Sequence, residues 1–164
     1  MTPLRRAGRG RLADGSTVVW SVSEGRRGRR WREIHRTADG GLITSLLLET
    51  NPDGDFAHVE LSTAAGLLTL HPERDGTLHG NVVTTRGIRH VVGLPWTPKS
   101  VVLVEGSVLA SAAATRMLDR GTADGVRISL ELDVAAVREA VSVDVDQDGL
   151  PVLEDAAAWP LEAE

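Results

Sequence analysis

Apolar and polar positions alternate with a period of two over much of the chain, the pattern of strands that bury one face. Thr17 to Ser23 sets Val18, Trp20 and Val22 on one side and Thr17, Val19 and Ser21 on the other, and Arg30 to Thr37 alternates Trp31 with charged neighbours. Leu42 to Thr50 is richer in leucine and predicts a more buried strand. Asp55 to Leu61, Leu67 to His71, Thr77 to Thr84 and Ile88 to Leu94 predict four more, with Gly66 marking a bend or bulge. Pro95 and Pro98 end that series around Trp96, because proline has no N–H to give to a ladder. Val101 to Glu105 predicts a short apolar strand. Val126 to Asp133 sets Val126, Ile128, Leu130 and Leu132 against Arg127, Ser129, Glu131 and Asp133, the cleanest alternation in the chain.

Two segments read differently. Val108 to Leu118, with its run of alanines, favours a helix by propensity, with a strand continuing from Ser107 as the alternative. Val134 to Ala140 reads as a second short helix capped by Asp133, followed by a hairpin of Val141 to Val145 with Leu150 to Leu153. Between the extended runs Asp-Gly occurs six times, at Asp14, Asp39, Asp53, Asp75, Asp124 and Asp148. Glycine takes a positive φ at no steric cost and aspartate bonds the backbone ahead of it, so hairpin turns of the primed type are expected at most of the six pairs. The expected fold is mainly β: one domain over 1–164, an antiparallel and strongly curved sheet forming a half-barrel, barrel or roll, with one or two short helices.

Composition adds limits. With 41% hydrophobic and 25% charged residues over 164 positions, the chain is long and apolar enough to bury a core. The absence of cysteine excludes disulfides and thiolate zinc sites. No apolar stretch follows the arginine-rich start and none approaches the length of a spanning helix, so a cytoplasmic protein with no membrane span is expected. The oligomeric state stays open. The net charge of -5 conceals an asymmetry, since residues 1–36 hold ten arginines against Asp14, Glu24 and Glu33. Residues 1–14 read as a flexible basic arm. The run Arg26 to Arg32 contains a single aromatic, Trp31, where binders of single strands interleave several, so no nucleic acid partner is expected.

Candidate chemistry is sparse. The histidines His35, His58, His71, His79 and His90 form no His-x-His or His-Glu-x-x-His motif, and the nearest approach is His58 with Glu60, which would share a strand face. Nucleophile motifs and phosphate-cradling glycine loops are missing from the sequence. A non-enzymatic protein without catalytic residues, metal or cofactor is therefore expected. Asp144-x-Asp146-x-Asp148-Gly149 with Asp155 at the twelfth place matches the ligand spacing of an EF-hand loop. Asp155 is shorter than the usual glutamate, and Pro151 and Pro160 interrupt the loop and its exiting helix, so an acidic hairpin without calcium is expected.

Three stretches stand out together: Leu67 to Leu70 leading to Arg74-Asp75-Gly76-Thr77-Leu78-His79-Gly80-Asn81, then Leu94-Pro95-Trp96-Thr97-Pro98 to Met117-Leu118, and last Val143 to Leu150. In this order they resemble a glycolipid-binding family of bacterial cytosolic proteins built on a curved β-sheet like that of lipoprotein carriers. The family's central Gly-Cys pair has no counterpart, and Ile88 to Gly93 stands in its place. The resemblance implies a non-enzymatic fold whose sheet encloses an apolar cavity for acyl chains. On that reading a lipid, glycolipid or other apolar ligand would lie against Val18, Trp20, Val22, Leu46, Leu48, Leu68, Leu70 and Ile128. The alternative is a structural or protein-interaction domain in which the same side chains fill a solid core.

Overall fold

A computed structural model describes residues 3–118, 121–152 and 157–160. In chain order its strands are β1 (Arg5–Arg11), β2 (Thr17–Gly25), β3 (Gly28–Arg36), β4 (Leu42–Thr50), β5 (Phe56–Thr63), β6 (Gly66–Pro72), β7 (Thr77–Thr84), β8 (Gly87–Pro95) and β9 (Val101–Val104). Helix α1 (Val108–Ala114) and a 3-10 turn (Thr115–Met117) follow, then β10 (Thr122–Ile128), β11 (Val134–Ala140) and β12 (Ala157–Pro160). The large sheet runs β12-β1-β2-β3-β4-β5-β6-β7-β8 and is antiparallel throughout. A small sheet, β11-β10-β9, holds a parallel pair, β9 with β10. No helix among the described residues is long and apolar enough to cross a membrane.

The mainly β, antiparallel expectation holds, but the sheet is neither closed nor strongly curled, so the expected barrel, half-barrel or roll is corrected to an open sheet. The physical reason is that the apolar face does not need closure to be dry. α1, β9 and β10 lie over it and complete one core with β2 to β8. Val101 to Val104 are buried at every position, as a strand packed on both faces must be. Val102 and Val104 join the main core, while Val101 and Leu103 join a smaller cluster with Ala114 and Ala123.

Five of the six Asp-Gly pairs lie in turns, and all five share one frame. The loops 12–16, 37–41, 51–55, 73–77 and 146–150 each close with two backbone bonds, from the first N–H to the fifth carbonyl and from the fourth N–H to the first carbonyl. The glycine takes the fourth place with φ between 75° and 94°. These are three-residue loops in which glycine alone is left-handed, not the primed two-residue turns expected, which would need positive φ earlier in the loop. Asp124-Gly125 is the exception: it lies inside β10, where a Cβ on Gly125 would come within 1.9 Å of the Val101 carbonyl oxygen. There the missing side chain admits the parallel neighbour.

Two more expectations are corrected. Arg5–Arg11 is an ordered strand rather than a flexible arm, and Val134–Ala140 is a strand rather than a helix. The second error has a local cause. Residues 129–133 repeat the same turn frame, with Ser129 N–H to Asp133 O and Leu132 N–H to Ser129 O, and so fold β11 back on β10. Here Leu132 stands where the other turns carry glycine, at φ 65°, with no exposed surface. Its side chain belongs to the core, and Thr63 Oγ1 to Leu130 O, Arg89 Nη2 to Leu132 O and Leu130 N–H to Glu105 Oε2 hold the turn to the large sheet and β9. Among the described residues Val141–Val145 and the segment after Leu150 meet through a bridge between Val145 and Pro151 and the bond from Val152 N–H to Asp144 O.

One charged group lies within the core. Glu33 on β3 has no exposed surface; its Oε2 accepts from Leu109 N–H in the first turn of α1, while Ser107 Oγ caps the helix by accepting from Ala110 N–H. Two of the helix's orphan donors are thereby satisfied, one of them by the sheet. Glu33 Oε1 has no hydrogen-bond partner, and burial pushes its pKa up to about 6.

Two predictions follow from these positions. In regular structure glycine is less stable than alanine, but at the left-handed Leu132 the order should reverse. Urea denaturation should place Leu132→Ala about 3 kcal/mol below the native protein and Leu132→Gly no lower than the alanine variant. For Glu33 the native state holds its proton to higher pH than the unfolded chain, so stability is greatest below the unfolded pKa and falls as pH rises through about 6. Glu33→Gln should be more stable than the native protein at pH 7 by about 2 kcal/mol, with the difference vanishing near pH 4.

Candidate functional site

The eight side chains predicted to line a ligand cavity are brought together in one core, seven from the inner face of the large sheet and Ile128 from β10 over it, and that core is filled. Val18, Trp20, Val22, Leu46, Leu48, Leu68, Leu70 and Ile128 all belong to one core cluster, and none is more than 3% exposed. Between β4, β5, β9 and α1 a gap of about 20 Å³ remains, room for one water and not for an acyl chain. Gly8 tightens the packing between β1 and β2, since a Cβ there would lie 2.4 Å from the Trp20 ring.

Among the described residues nothing covers the opposite face of the large sheet, and the register lays out its composition. One cross-strand row reads Arg9, Val19, Ile34, Ser45, Ser62, Leu67, Val83 and Ile88 from β1 to β8. The next reads Ala7, Ser21, Arg32, Leu47, Glu60, Thr69, Asn81 and His90. A third reads Arg5, Ser23, Arg30, Glu49 and His58. Small side chains in the first two rows leave a trough of about 420 Å³ across β1 to β5, with Ala7, Ser21, Ser45 and Ser62 among larger Val19, Ile34, Leu47, Arg32 and Glu60. A second hollow, of about 450 Å³, lies toward the β2–β3 hairpin and is lined by Arg5, Arg26, Arg27, Arg29 and Arg30 with Glu24 and Glu49.

Charge is distributed unevenly over this face. Strand parity puts Arg5, Arg9 and Arg11 of β1 and Arg30, Arg32 and Arg36 of β3 on the outer side, all six exposed, and no outward position of β1, β2 or β3 is acidic. Among the described residues Arg5, Arg9, Arg11, Arg26, Arg27 and Arg32 make no ion pair, whereas Arg30 meets Glu49 at 2.6 Å. Arg29 points the other way, pairing with Glu24 at 3.0 Å, donating to Asp148 O and lying 5.2 Å over the Trp31 ring. This cationic face was missed by sequence reasoning because it depends on Arg5–Arg11 being a strand in register with β2. The alternation of Arg5, Arg9 and Arg11 with Gly8 and Gly10 was its one visible trace.

The remaining candidates do not converge. His35 is buried, with Nε2 2.8 Å from Ser16 Oγ and its pKa held down by burial. His58 and His71 each meet the glutamate two residues on, at 3.1 and 2.9 Å, and His90 meets Asn81. Among the described residues no group of three potential ligands could hold a metal ion. In the acidic loop Arg6 Nη1 reaches Asp146 Oδ2 at 2.5 Å and Asp148 Oδ2 at 2.9 Å, while Asp146 Oδ1 accepts from the N–H groups of Asp148 and Leu150. Those carboxylates hold the turn and anchor it to β1; Asp155 lies outside the described residues.

No protein-family model, no curated protein and no solved structure matches the chain.

Proposed function

We propose that the protein is a non-enzymatic binding domain for an amphiphile, and that the ligand lies on the outer face of the large sheet instead of the inner one. The observation that carries the reading is the contrast between the two faces: the inner is packed solid, while the outer holds a trough of about 420 Å³ with aliphatic sides. Each methylene removed from water contributes roughly 0.8 kcal/mol at full burial, and an open trough captures a part of that. Ser21, Ser45 and Ser62 are among the residues that line it, and serine hydroxyls suit a ligand with polar substituents, such as a glycolipid. Among the described aromatic side chains Trp20, Trp31, Phe56 and Trp96 are all buried, so none of these four offers its ring to a nucleic acid base on this face.

A protein-interaction domain is the second reading, favoured by one observation. Leu67, Val83 and Ile88 form a cross-strand row of exposed aliphatic side chains toward the β8 edge. The row lies beyond the trough, so the two readings separate by mutation. Displacement of a fluorescent fatty-acid probe should be weakened about tenfold by Val19→Asp in the trough, a loss near 1.4 kcal/mol, and left unchanged by Ile88→Asp at the edge. Leu46→Ala, on the inner face, should lower stability by about 3 kcal/mol without changing the probe's affinity in the folded protein. A protein that shows no saturable probe binding contradicts the amphiphile reading and leaves the interaction domain.

A further inference from the structure

We infer that the hollow at the β2–β3 hairpin is a binding site for a phosphate-type anion, the headgroup of the amphiphile whose tail occupies the trough; the tail half of this inference rests on the function proposed above. Five arginines line the hollow against two glutamates, and both glutamates are already taken, Glu24 by Arg29 and Glu49 by Arg30. Arg5, Arg26 and Arg27 are left without a carboxylate among the described residues. Uncompensated guanidinium groups around one concavity attract an anion, and their planar N–H forks match phosphate oxygens in pairs. A phosphate monoester fits better than a carboxylate because it carries more charge and three acceptor oxygens.

The backbone shapes the site. Gly28 has φ 110°, and a Cβ on it would lie 1.9 Å from the Thr50 carbonyl oxygen, so only glycine lets the end of β4 pass this close beneath the hairpin. A Cβ on Gly25 meets nothing within 4 Å, so its missing side chain leaves the rim of the hollow open. The hollow and the trough lie along the same strands. The Val19–Ile34 row and the Ser23–Arg30 row are four residues apart, about 13 Å at strand rise, so one extended ligand can span both.

The test compares three probes by calorimetry on the full chain: lysophosphatidic acid below its micelle concentration, a neutral fatty alcohol of equal length, and inorganic phosphate. Lysophosphatidic acid is expected to bind at least tenfold tighter than the alcohol, with an advantage that shrinks as salt screens the arginines. Gly25→Asp, which places a carboxylate in open space against the arginines, should remove that advantage, while Gly25→Ala should keep it and report intact folding. Arg26→Ser with Arg27→Ser should weaken lysophosphatidic acid and leave the alcohol unchanged. Equal binding of lysophosphatidic acid and the alcohol overturns the anion site and leaves the trough standing. Phosphate binding as tightly as lysophosphatidic acid, and lost in Gly25→Asp, supports the anion site while removing the tail and the amphiphile reading with it. No binding of any probe overturns both.

Discussion

The structure depends on how one face of an open sheet is kept dry. A closed barrel removes its edges and buries its interior by geometry alone, whereas an open antiparallel sheet needs a second layer over its apolar side. That layer is small here: four residues of β9, seven of α1, and β10, with Leu132 and Leu150 filling in beside them. A helix of seven residues is too short to stand by itself, and its anchorage comes from β3, where Glu33 takes the Leu109 N–H. The cost of holding that carboxylate in the core is the raised pKa, and the gain is a fixed position for the lid of the core.

Once the inner face is sealed, strand alternation determines what the outer face offers. Every inward Val18, Trp20 or Leu46 has an outward neighbour, and on β1 and β3 most of those neighbours are arginine. The chain as a whole is acidic, so this cationic region stands out against the remainder and directs anions toward β1 to β3. Arg6 is the one β1 arginine that turns inward, and it ties Asp146 and Asp148 to β1. Neighbouring arginines on one strand thus divide between holding the fold and presenting charge.

The parts of this arrangement that rest on local chemistry were legible in the sequence. Period-two alternation located β2 to β8 and selected the inward residues, and Asp-Gly marked five turns because αL glycine and an aspartate bonding ahead are requirements of the turn itself. What failed depended on distant partners. Asp124-Gly125 looks like the other pairs, but its glycine serves the approach of Val101 from more than twenty residues away. Leu132 conceals a turn because a leucine in a glycine conformation is stable only when the core receives its side chain. Whether inward aliphatic residues line a cavity or fill a core is decided by α1, β9 and β10 packing onto them, which alternation does not encode.

The central claim is that the inner face is closed and the outer face does the binding. Methyl-resolved NMR of labelled protein titrated with lysophosphatidic acid tests it directly, because adjacent residues on one strand report opposite faces. The account predicts saturable shifts at Val19, Ile34 and Leu47, with Val18, Leu46 and Leu48 unmoved. Shifts concentrated at Val18, Leu46 and Leu48, with the outer methyls silent, contradict it and return the ligand to an interior that opens to admit it.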